Sequence, residues 1–460
     1  MKKSIGKKIT AFMCAAVAFS ALAFSSCSLE LGDSKDAYQI AVEQGFDGDV
    51  YDWLESLKGK DGVNGKDLDI NDVYTAAKNN GYQGDFLSFL KEYFSIDVQG
   101  YNDTEIIAHN VMSVVSICCG YKGKASVSLG SGVVFSLDKT QGNAYIVTNY
   151  HVVFDEAATT NDGISDGIYV YSYGELMAYD TKTRTDTNGI KATYVGGAAD
   201  YDLAVLKIEN SDKIKVSNLE EAKIGNSETL SLGEKTFVVG NAEGDGISVT
   251  DGVLSVESEY IEMSAIDGRK EQVDFRVLRT SAAVNHGNSG GAIFDANGYL
   301  IGIVNAKNVD DDVENMGYAL PINYVINTVE NILDNIGADG KGVVKRAMLG
   351  VTVQTIKSTS SINENGRVVI KEICSVYEKA KYGAAAYGKL HEGDVFKSFQ
   401  LVKANGETSE ELLINRRHQL GDYLLDVRLG DKVVLKVERD GKETVVEILY
   451  NQNSYFYIYD

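Results

Sequence analysis

The segment Val284–Ala292 holds a serine, Ser289, among glycines at positions 287, 290 and 291. Glycines carry no Cβ and tolerate unusual backbone dihedrals, so the chain can approach a substrate carbonyl closely there. The backbone amides of Gly287 and Ser289 can then converge on one oxygen, as the oxyanion hole of an acyl-transfer enzyme requires. Ser289 is therefore a candidate nucleophile, although the same residue types also fit a polar hairpin turn.

A serine hydroxyl is a weak nucleophile until an adjacent base takes its proton, so Ser289 requires partners elsewhere in the chain. The apolar run Ala144–Val153 predicts a buried strand that leads into a short turn with His151 near its end. Downstream, Asp202 opens the alternating strand Leu203–Ile208, where its carboxylate can lie buried beside an imidazole. A lone histidine in such a place also fits a core residue, so the three side chains have to be considered together.

Five short motifs contain these residues, and their order and spacing resemble those of trypsin-like serine proteases of the high-temperature-requirement (HtrA, Deg) family. The motifs are Leu129–Val134, Thr148–Val153, Asp202–Leu206, Val239–Asn241 and Gly287–Gly291. The chain order His, Asp, Ser is that of the chymotrypsin group and differs from that of subtilisins and α/β-hydrolases. The resemblance covers the chain from about residue 104 to residue 335.

The resemblance implies a role for each site residue. His151 is expected to be the general base, Asp202 to orient it and Ser289 to be the nucleophile. The oxyanion hole is expected at Gly287, Asn288 and Ser289, with the amides of the first and last as donors. This chemistry requires no metal and no organic cofactor.

Three positions beside the nucleophile carry further information. Asn288 stands where digestive-type relatives have an aspartate that pairs with a newly cut N-terminus, which implies activation by loop ordering instead of zymogen cleavage. Ala283 stands where enzymes of basic specificity carry aspartate, so an S1 pocket for small or medium apolar side chains is expected. His286 replaces the proline that usually precedes Gly287, and both a substrate contact and a solvated loop position fit it.

The formal net charge of -22 over 460 residues limits the partners that the chain can bind. Binding to a phosphate backbone needs clustered lysine and arginine, so this charge argues against nucleic acid. It also disfavours a polybasic contact with a membrane surface. Forty-six glycines beside a single proline are typical of a β protein rich in turns.

The first 27 residues have the pattern of a secretory signal. The basic segment Met1–Lys8 precedes the apolar segment Ile9–Phe24, and small residues then lead to Cys27. This ending resembles a bacterial lipoprotein box, although Phe24 stands where leucine is usual. We therefore expect export, with Cys27 lipidated as the mature N-terminus and the protein anchored to the membrane of the cell envelope.

The cysteines after the signal are too few for a disulfide scaffold, since only Cys118, Cys119 and Cys374 remain. The vicinal pair lies in the apolar run Val111–Cys119. Free cysteine packs as a small apolar side chain, so we expect the pair to lie in the core.

Residues 28–100 contain an internal repeat, in which positions 36–58 recur at 72–94. Each copy predicts two short helices around a G-x-x-G-D turn, with Asp49 and Asp85 as N-caps. Glycines recur at every third position within residues 59–67, but three glycines without proline are too few for a collagen helix, so this stretch is interpreted as a linker. A small helical repeat module that acts as a stalk or docking unit is expected.

From Thr104 onward, short β runs divided by turns predict a barrel or a sandwich. The runs are 126–137, 144–153, 167–173, 194–195, 203–208, 236–240, 253–256, 275–278 and 299–305. The segment Ile322–Ile336 is apolar at helical spacing and predicts a helix that closes the domain. The family resemblance implies two six-stranded antiparallel barrels over residues 101–338, with the catalytic groups in the cleft between them.

Residues 346–450 resemble a PDZ domain in the order and spacing of their motifs. These motifs are Met348–Val351, Thr352–Ile356, Gly366–Ile370, Leu390–Phe396, Ala404–Gly406 and Leu429–Lys442. Such a domain binds a peptide C-terminus by strand addition, and the loop of Met348, Leu349, Gly350 and Val351 would receive the carboxylate. The expected fold class is mostly β, with a small helical repeat, a chymotrypsin-like double antiparallel β-barrel and an α+β PDZ domain in chain order.

The function expected from these features is an extracytoplasmic serine endopeptidase that cleaves unfolded or damaged proteins and binds peptide C-termini. The resemblance also implies a homotrimer as a possible assembly. Two other classes stay open: a catalytically silent envelope chaperone or adaptor of the same fold, and a lipid-anchored peptide-binding protein. A serine-directed fluorophosphonate probe separates both of them from a protease.

Overall fold

The computed structural model describes residues 103–122, 126–158, 162–264, 266, 272–305, 316–364 and 366–459. The expected signal with Cys27 and the expected helical repeat over residues 28–100 lie outside the described residues. Among the helices of the described residues, none has the length and apolar character needed to cross a membrane.

Six antiparallel strands form a first closed barrel: β1 Val114–Gly120, β2 Val127–Asp138, β3 Asn143–Thr148, β4 Gly167–Tyr171, β5 Ile190–Ala198 and β6 Leu203–Ile208. Their order around the barrel is β1-β2-β3-β6-β5-β4. Three short helices accompany them: α1 Asp103–Asn110, α2 Tyr150–Val153 and α3 Asp212–Val216. All five residues of β4 and five of the six residues of β6 are buried, so β6 is buried on both faces and does not have the expected alternation; Lys207 is its one partly exposed residue.

A second closed barrel follows, with the strands β7 Lys235–Gly240, β8 Ser248–Ser264, β9 Gln272–Thr280, β10 Ala292–Asp295, β11 Leu300–Val304 and β12 Gly317–Pro321. Their order around the barrel is β10-β11-β12-β9-β8-β7. The helix α4, Ile322–Asp334, begins directly after β12 and buries Val325, Val329 and Ile332. The expectation of two six-stranded antiparallel barrels is confirmed.

Two strand predictions differ from the structure in an informative way. The run Ala144–Val153 is a strand only to Thr148, and α2 then carries His151. The chain leaves the strand after Thr148 because the backbone amide of His151 donates a hydrogen bond to the carboxylate of Asp202 and not to a neighbouring strand. Strand β8 extends far beyond the predicted 253–256, since many of its outer residues are polar and half-exposed and carry no hydrophobic signal.

A separate sheet, here called the C-terminal sheet, has the elements β14 Thr352–Ile362, β15 Val368–Glu378, β16 Val395–Val402, β17 Leu412–Leu413, α5 Arg417–Leu424, β18 Lys432–Arg439 and β19 Lys442–Leu449. Its strand order is β14-β15-β16-β18-β19, with β17 beside β16. A two-stranded ladder joins β13 Val344–Ala347 to β20 Phe456–Tyr459. The sheet has its own apolar core, which includes Phe399, Leu435 and Ile448. The assignment of residues 346–450 to the PDZ family stays a prediction.

Cys118 and Cys119 are buried free thiols, in agreement with the expected core packing, and Cys374 is also buried and free. Burial raises the pKa of Cys118 to about 12 and also raises the pKa of Cys119. The thiolate is the reactive form of cysteine, so these side chains act as apolar packing groups.

Candidate active site

The structure brings elements from both barrels together around the residues predicted from the sequence. His151 lies on α2, Asp202 follows a short 3₁₀ turn, and Ser289 lies in the loop before β10. Gly130 shows how near two of these elements are. A Cβ placed on Gly130 would lie 2.7 Å from the Val152 side chain and 3.3 Å from the Ser289 carbonyl oxygen. The helix that carries His151 and the loop that carries Ser289 therefore pack against the same glycine.

Two hydrogen bonds join His151 to Asp202. Its backbone amide donates to Asp202 Oδ1 at 3.0 Å, and its Nδ1 lies 2.7 Å from Asp202 Oδ2. The Asp202 side chain is fully buried, whereas 21% of the His151 side chain is exposed. Because a carboxylate only accepts, the proton of this bond belongs to Nδ1. In the neutral imidazole, Nε2 then has a lone pair that can accept a proton from a nucleophile.

The backbone of Asp202 is held as firmly as its carboxylate. Its φ of 47° and ψ of 41° place it in the left-handed region, which aspartate tolerates better than most residues. The side-chain amide of the buried Asn149 donates to the Asp202 carbonyl oxygen at 2.9 Å. The Asp202 amide donates to Ala199 at 3.1 Å. These bonds hold the chain turn that directs the carboxylate toward α2.

Asn305 also contacts the carboxylate, and the sequence did not single it out. It follows β11 in the second barrel, is fully buried, and donates its side-chain amide to Asp202 Oδ2 at 3.0 Å. The sequence signal was a polar residue placed directly after the apolar run Leu300–Val304. Without the fold, nothing in that pattern indicates which carboxylate the amide meets.

The peptide group between His286 and Gly287 has a fixed direction. The His286 carbonyl oxygen accepts the backbone amide of Glu243 at 2.7 Å. Peptide bonds in the described residues are trans, so the N–H of Gly287 points opposite to that carbonyl. Gly287 itself has φ of 87°, and a Cβ there would lie 2.1 Å from the Asn241 carbonyl oxygen. The conformation that directs this amide therefore requires glycine.

The peptide group between Asn288 and Ser289 is fixed in the same manner. The Asn288 carbonyl oxygen accepts the backbone amide of Gly291 at 2.9 Å, so the N–H of Ser289 points the opposite way. The amide of Asn288 donates to Asn285 at 3.1 Å and closes a turn. Three residues were predicted for the oxyanion hole. The Asn288 amide is used in the turn, and the Asn288 carbonyl fixes the direction of the Ser289 amide. The amides of Gly287 and Ser289 remain the proposed donors.

The predicted S1 residue, Ala283, is exposed, whereas its neighbours Ala282 and Val284 are buried in the core of the second barrel. Its carbonyl oxygen accepts the hydroxyl of Thr250 at 2.7 Å, which fixes the segment on β8. His286 is exposed as well. The segment 306–315, which follows Asn305, lies outside the described residues, so the S1 assignment stays a prediction.

The predicted carboxylate-binding loop joins β13 to β14. Leu349 is buried, and its carbonyl oxygen accepts the amide of Ala386 at 3.1 Å. Gly350 has φ of 78°, and Met348 and Gly350 are exposed. Val351 is half-buried against the core of the C-terminal sheet. The loop therefore has an anchored residue and an exposed turn.

A charged cluster lies where α5 of the C-terminal sheet meets the second barrel. Glu228, His418 and Asp422 present ligand-type atoms within 4.8 Å of one another. Arg276 Nη2 donates to Glu228 Oε1 at 2.8 Å, and Arg276 also pairs with Asp422. The guanidinium supplies positive charge where a metal ion would, so we interpret the group as an ion-pair cluster and not as a metal site.

Comparisons with known proteins identify proteases similar to this chain. A protein-family model described as "Trypsin-like peptidase domain" matches residues 130–303 of this chain. The chain is 29% identical over 338 residues to the serine protease Do-like HtrA of Lactococcus lactis subsp. cremoris (strain MG1363), covering 71% of this chain and 72% of that protein. It is 31% identical over 317 residues to the serine protease Do-like HtrB of Bacillus subtilis (strain 168), covering 68% of this chain and 60% of that protein. The chain thus spans less than two thirds of the Bacillus relative.

Among solved structures, the HtrA-type protease AlgW with tripeptide is similar at 24% identity and a TM-score of 0.45. The match covers 77% of this chain and 96% of AlgW.

Proposed function

The chain belongs to the HtrA-type trypsin-like serine proteases and is a serine endopeptidase, and we propose that it cleaves unfolded or damaged proteins through Ser289, His151 and Asp202. The observation that carries this assignment is the pair of hydrogen bonds from His151 to the buried carboxylate of Asp202. Their geometry gives the imidazole the tautomer that a general base needs. The packing of α2 and the Ser289 loop on Gly130 supports the inclusion of the serine.

The reaction proposed is acyl transfer to water. Ser289 Oγ attacks the carbonyl carbon of the scissile bond, and His151 Nε2 accepts the hydroxyl proton. Asp202 holds the imidazole and stabilises the imidazolium, while the amides of Gly287 and Ser289 stabilise the negative oxygen of the tetrahedral intermediate. The C–N bond then breaks, and His151 gives its proton to the leaving amine. Water, activated by His151, releases the acyl group and restores Ser289.

The test compares Ser289→Ala with Ser281→Ala. Ser281 is a control serine that follows β9, and its hydroxyl oxygen accepts a hydrogen bond from the Val253 amide. Ser289→Ala should lower casein turnover by about 10⁴- to 10⁶-fold and abolish fluorophosphonate labelling. Ser281→Ala should be labelled at the same position as the unmodified protein. Cleavage by purified Ser289→Ala would disprove the nucleophile assignment. Absence of labelling in the unmodified protein would favour a silent chaperone or adaptor.

We also propose that residues 346–450 form a PDZ domain that binds peptide C-termini at Met348–Val351. The anchored Leu349 carbonyl and the left-handed Gly350 support a loop whose amides turn toward a carboxylate. Fluorescence anisotropy should show that an apolar peptide with a free C-terminal carboxylate binds more tightly than the same peptide with a C-terminal amide. Equal affinity for the two peptides would contradict the carboxylate assignment.

We further propose that the chain is exported, anchored to a membrane by a lipid and assembled as a trimer. Export with a lipid anchor at Cys27 rests on the basic and apolar pattern of residues 1–27. Replacement of Cys27 by serine should abolish fatty-acid labelling, and unchanged labelling would exclude this residue as the anchor. Sedimentation of the chain without residues 1–27 should give the mass of a trimer, as family resemblance implies.

A further inference from the structure

Ser131 connects the first barrel to the loop that carries the nucleophile. It lies on β2, is fully buried, and belongs to the Gly-Ser-Gly motif that the resemblance singled out without a role for the serine. Its backbone amide donates to the carbonyl oxygen of Ser289 at 2.8 Å. Its hydroxyl oxygen lies 2.7 Å from the carbonyl oxygen of Gly287. One residue of the first barrel thus holds two peptide groups of the nucleophile loop, which we define as residues 284–291.

The direction of the hydroxyl proton follows from its surroundings. Ser131 Oγ accepts the backbone amide of Asn241 at 2.8 Å, because an amide can only donate. Its single proton therefore points to the Gly287 carbonyl, which can only accept. The backbone of Ser131 is fixed in turn, since its carbonyl oxygen accepts the hydroxyl of Thr148 at 2.6 Å. The Ser131 hydroxyl therefore has a defined orientation, and it joins the nucleophile loop at Gly287 to the loop after β7 at Asn241.

The Gly287 carbonyl belongs to the peptide group that directly follows the proposed oxyanion donor, the Gly287 amide. A hydrogen bond to this carbonyl therefore limits rotation of the backbone beside the donor. The preceding peptide is held by Glu243 at the His286 carbonyl, so hydrogen bonds fix the peptide groups on both sides of Gly287. A glycine backbone has wide conformational freedom and would otherwise rotate at this point. Loss of the Ser131 hydroxyl would also leave the buried Asn241 amide and the half-buried Gly287 carbonyl without that partner.

The close packing at this junction agrees with a positioning role. A Cβ placed on Gly290 would lie 2.2 Å from the Ser131 carbonyl oxygen and 2.3 Å from the Thr148 hydroxyl. The nucleophile loop therefore rests directly on the backbone of β2 beside Ser131. A displacement of the Ser131 side chain is transmitted to Gly287 through a hydrogen bond, while the Ser289 carbonyl stays bound to the backbone amide.

We propose that Ser131 is a positioning residue for the oxyanion hole, which it orients by holding the Gly287 carbonyl. The inference rests on the proposed role of Ser289 as nucleophile and of the Gly287 amide as donor. Ser131 acts through Gly287 and does not touch the substrate. Its hydroxyl is required for stabilisation of the tetrahedral intermediate and not for binding of the peptide substrate in its ground state.

The experiment compares Ser131→Ala with Ser116→Ala. Ser116 is a buried serine on β1 that lies directly opposite Ser131 in the ladder, so it is matched in residue type, burial and barrel. For Ser131→Ala we expect kcat on a peptide substrate to fall about 10- to 100-fold, with KM changed by less than about twofold. Affinity for a peptide boronic acid, whose serine adduct is tetrahedral, should weaken by a similar factor. Ser116→Ala should keep both values.

A purely structural role gives a different result. Partial unfolding of Ser131→Ala would lower the titre of active sites and the thermal midpoint, but kcat per active site and boronate affinity would be those of the unmodified enzyme. If Ser131→Ala does not fold, Ser131→Cys tests the proposal, because the somewhat larger thiol fills the site and is a weaker hydrogen-bond donor. A kcat per active site within twofold of the unmodified value, in whichever variant folds, would overturn the proposal.

Failure of the positioning role of Ser131 can be distinguished from failure of the proposed function. If Ser289→Ala retained activity, the nucleophile assignment would fail and Ser131 would lose its premise. If Ser289→Ala were inactive and Ser131→Ala fully active, only the positioning role would be excluded.

Discussion

Asn305 donates its side-chain amide to Asp202 Oδ2 at 3.0 Å, the oxygen that also lies 2.7 Å from His151 Nδ1. Asn305 comes from the second barrel, whereas His151 belongs to the first. The second carboxylate oxygen accepts the backbone amide of His151. The orientation of the carboxylate is therefore set by both barrels.

Replacement of Asn305 should test this relationship. Asn305→Ala removes one donor to a buried carboxylate, and hydrogen bonds to charged groups contribute about 1.5–3 kcal/mol. We expect kcat to fall by about 10- to 100-fold with little change in KM. Asn305→Ser, which keeps a donor, should recover part of the loss. Asn297→Ala in an exposed turn is the control, and a kcat for Asn305→Ala equal to that of the control would contradict the role.

The identity of the residue at Ala283 should set the side chain accepted before the cleaved bond. If Ala283 lines S1, products from a denatured substrate should end in Val, Ala, Ile or Leu, because a charged side chain would be buried there without a partner. Ala283→Asp should shift cleavage toward Lys and Arg. Mass spectrometry of the released peptides gives the answer. Predominant Lys and Arg ends from the unmodified enzyme would exclude the pocket assignment and leave the catalytic residues unaffected.

Arg276 should hold α5 of the C-terminal sheet on the second barrel. Only 4% of its side chain is exposed, and its removal would leave the carboxylates of Glu228 and Asp422 without their shared cation. Loss of one partner from a buried ion pair costs about 3–5 kcal/mol, so Arg276→Met should lower the free energy of unfolding by that order. Hydrogen exchange should rise in Arg417–Leu424.

The control for this prediction is Arg279→Met on the same strand. Arg279 pairs with Glu259 at 3.2 Å, and both side chains are more exposed than Arg276. The side chains of this pair are 28% and 29% exposed, so they are better solvated than Arg276 and the control should lower stability less than Arg276→Met does. Equal effects of the two variants would show that the buried cluster does not hold α5 in place.

Asp394 should make the stability of the C-terminal sheet depend on pH. Burial alone raises the pKa of Asp394, but hydrogen bonds from Arg439 and from the His391 amide outweigh it and lower the pKa below its ordinary 3.8. A carboxyl whose pKa is lowered by folding adds stability above its unfolded pKa and loses that contribution as the pH falls through the folded value. Asp394→Asn should therefore be destabilised by about 1–3 kcal/mol near neutral pH.

The difference between Asp394→Asn and the unmodified chain should shrink as the pH falls below about 4. Chemical denaturation at several pH values measures it. Glu438→Gln is the control, because Glu438 pairs with Lys397 at 2.9 Å in a half-exposed place and should change the pH dependence little. A constant difference between Asp394→Asn and the unmodified chain at all pH values would refute the linkage.

Several features of this protein could be predicted from local sequence. The glycines around Ser289 indicated a tight loop, because a side chain at Gly287 or Gly290 would collide with backbone oxygens. The strand Leu203–Ile208 was predicted with its observed bounds, since five of its six residues are apolar and buried. The order of His151, Asp202 and Ser289 indicated the class of chemistry before any distance was known.

Other features were decided only by the tertiary structure. Ser131 and Asn305 are polar residues in or beside apolar strands, and only barrel closure and packing bring them to Gly287 and Asp202. The pairing of Arg276 with Asp422 joins residues far apart in the chain, so neither sequence neighbourhood indicates it. Hydrophobic periodicity reports which face of an element is buried, but it does not report which distant polar group that face meets. The sequence determined the chemical groups and their local turns, and the packing of the barrels determined which groups touch.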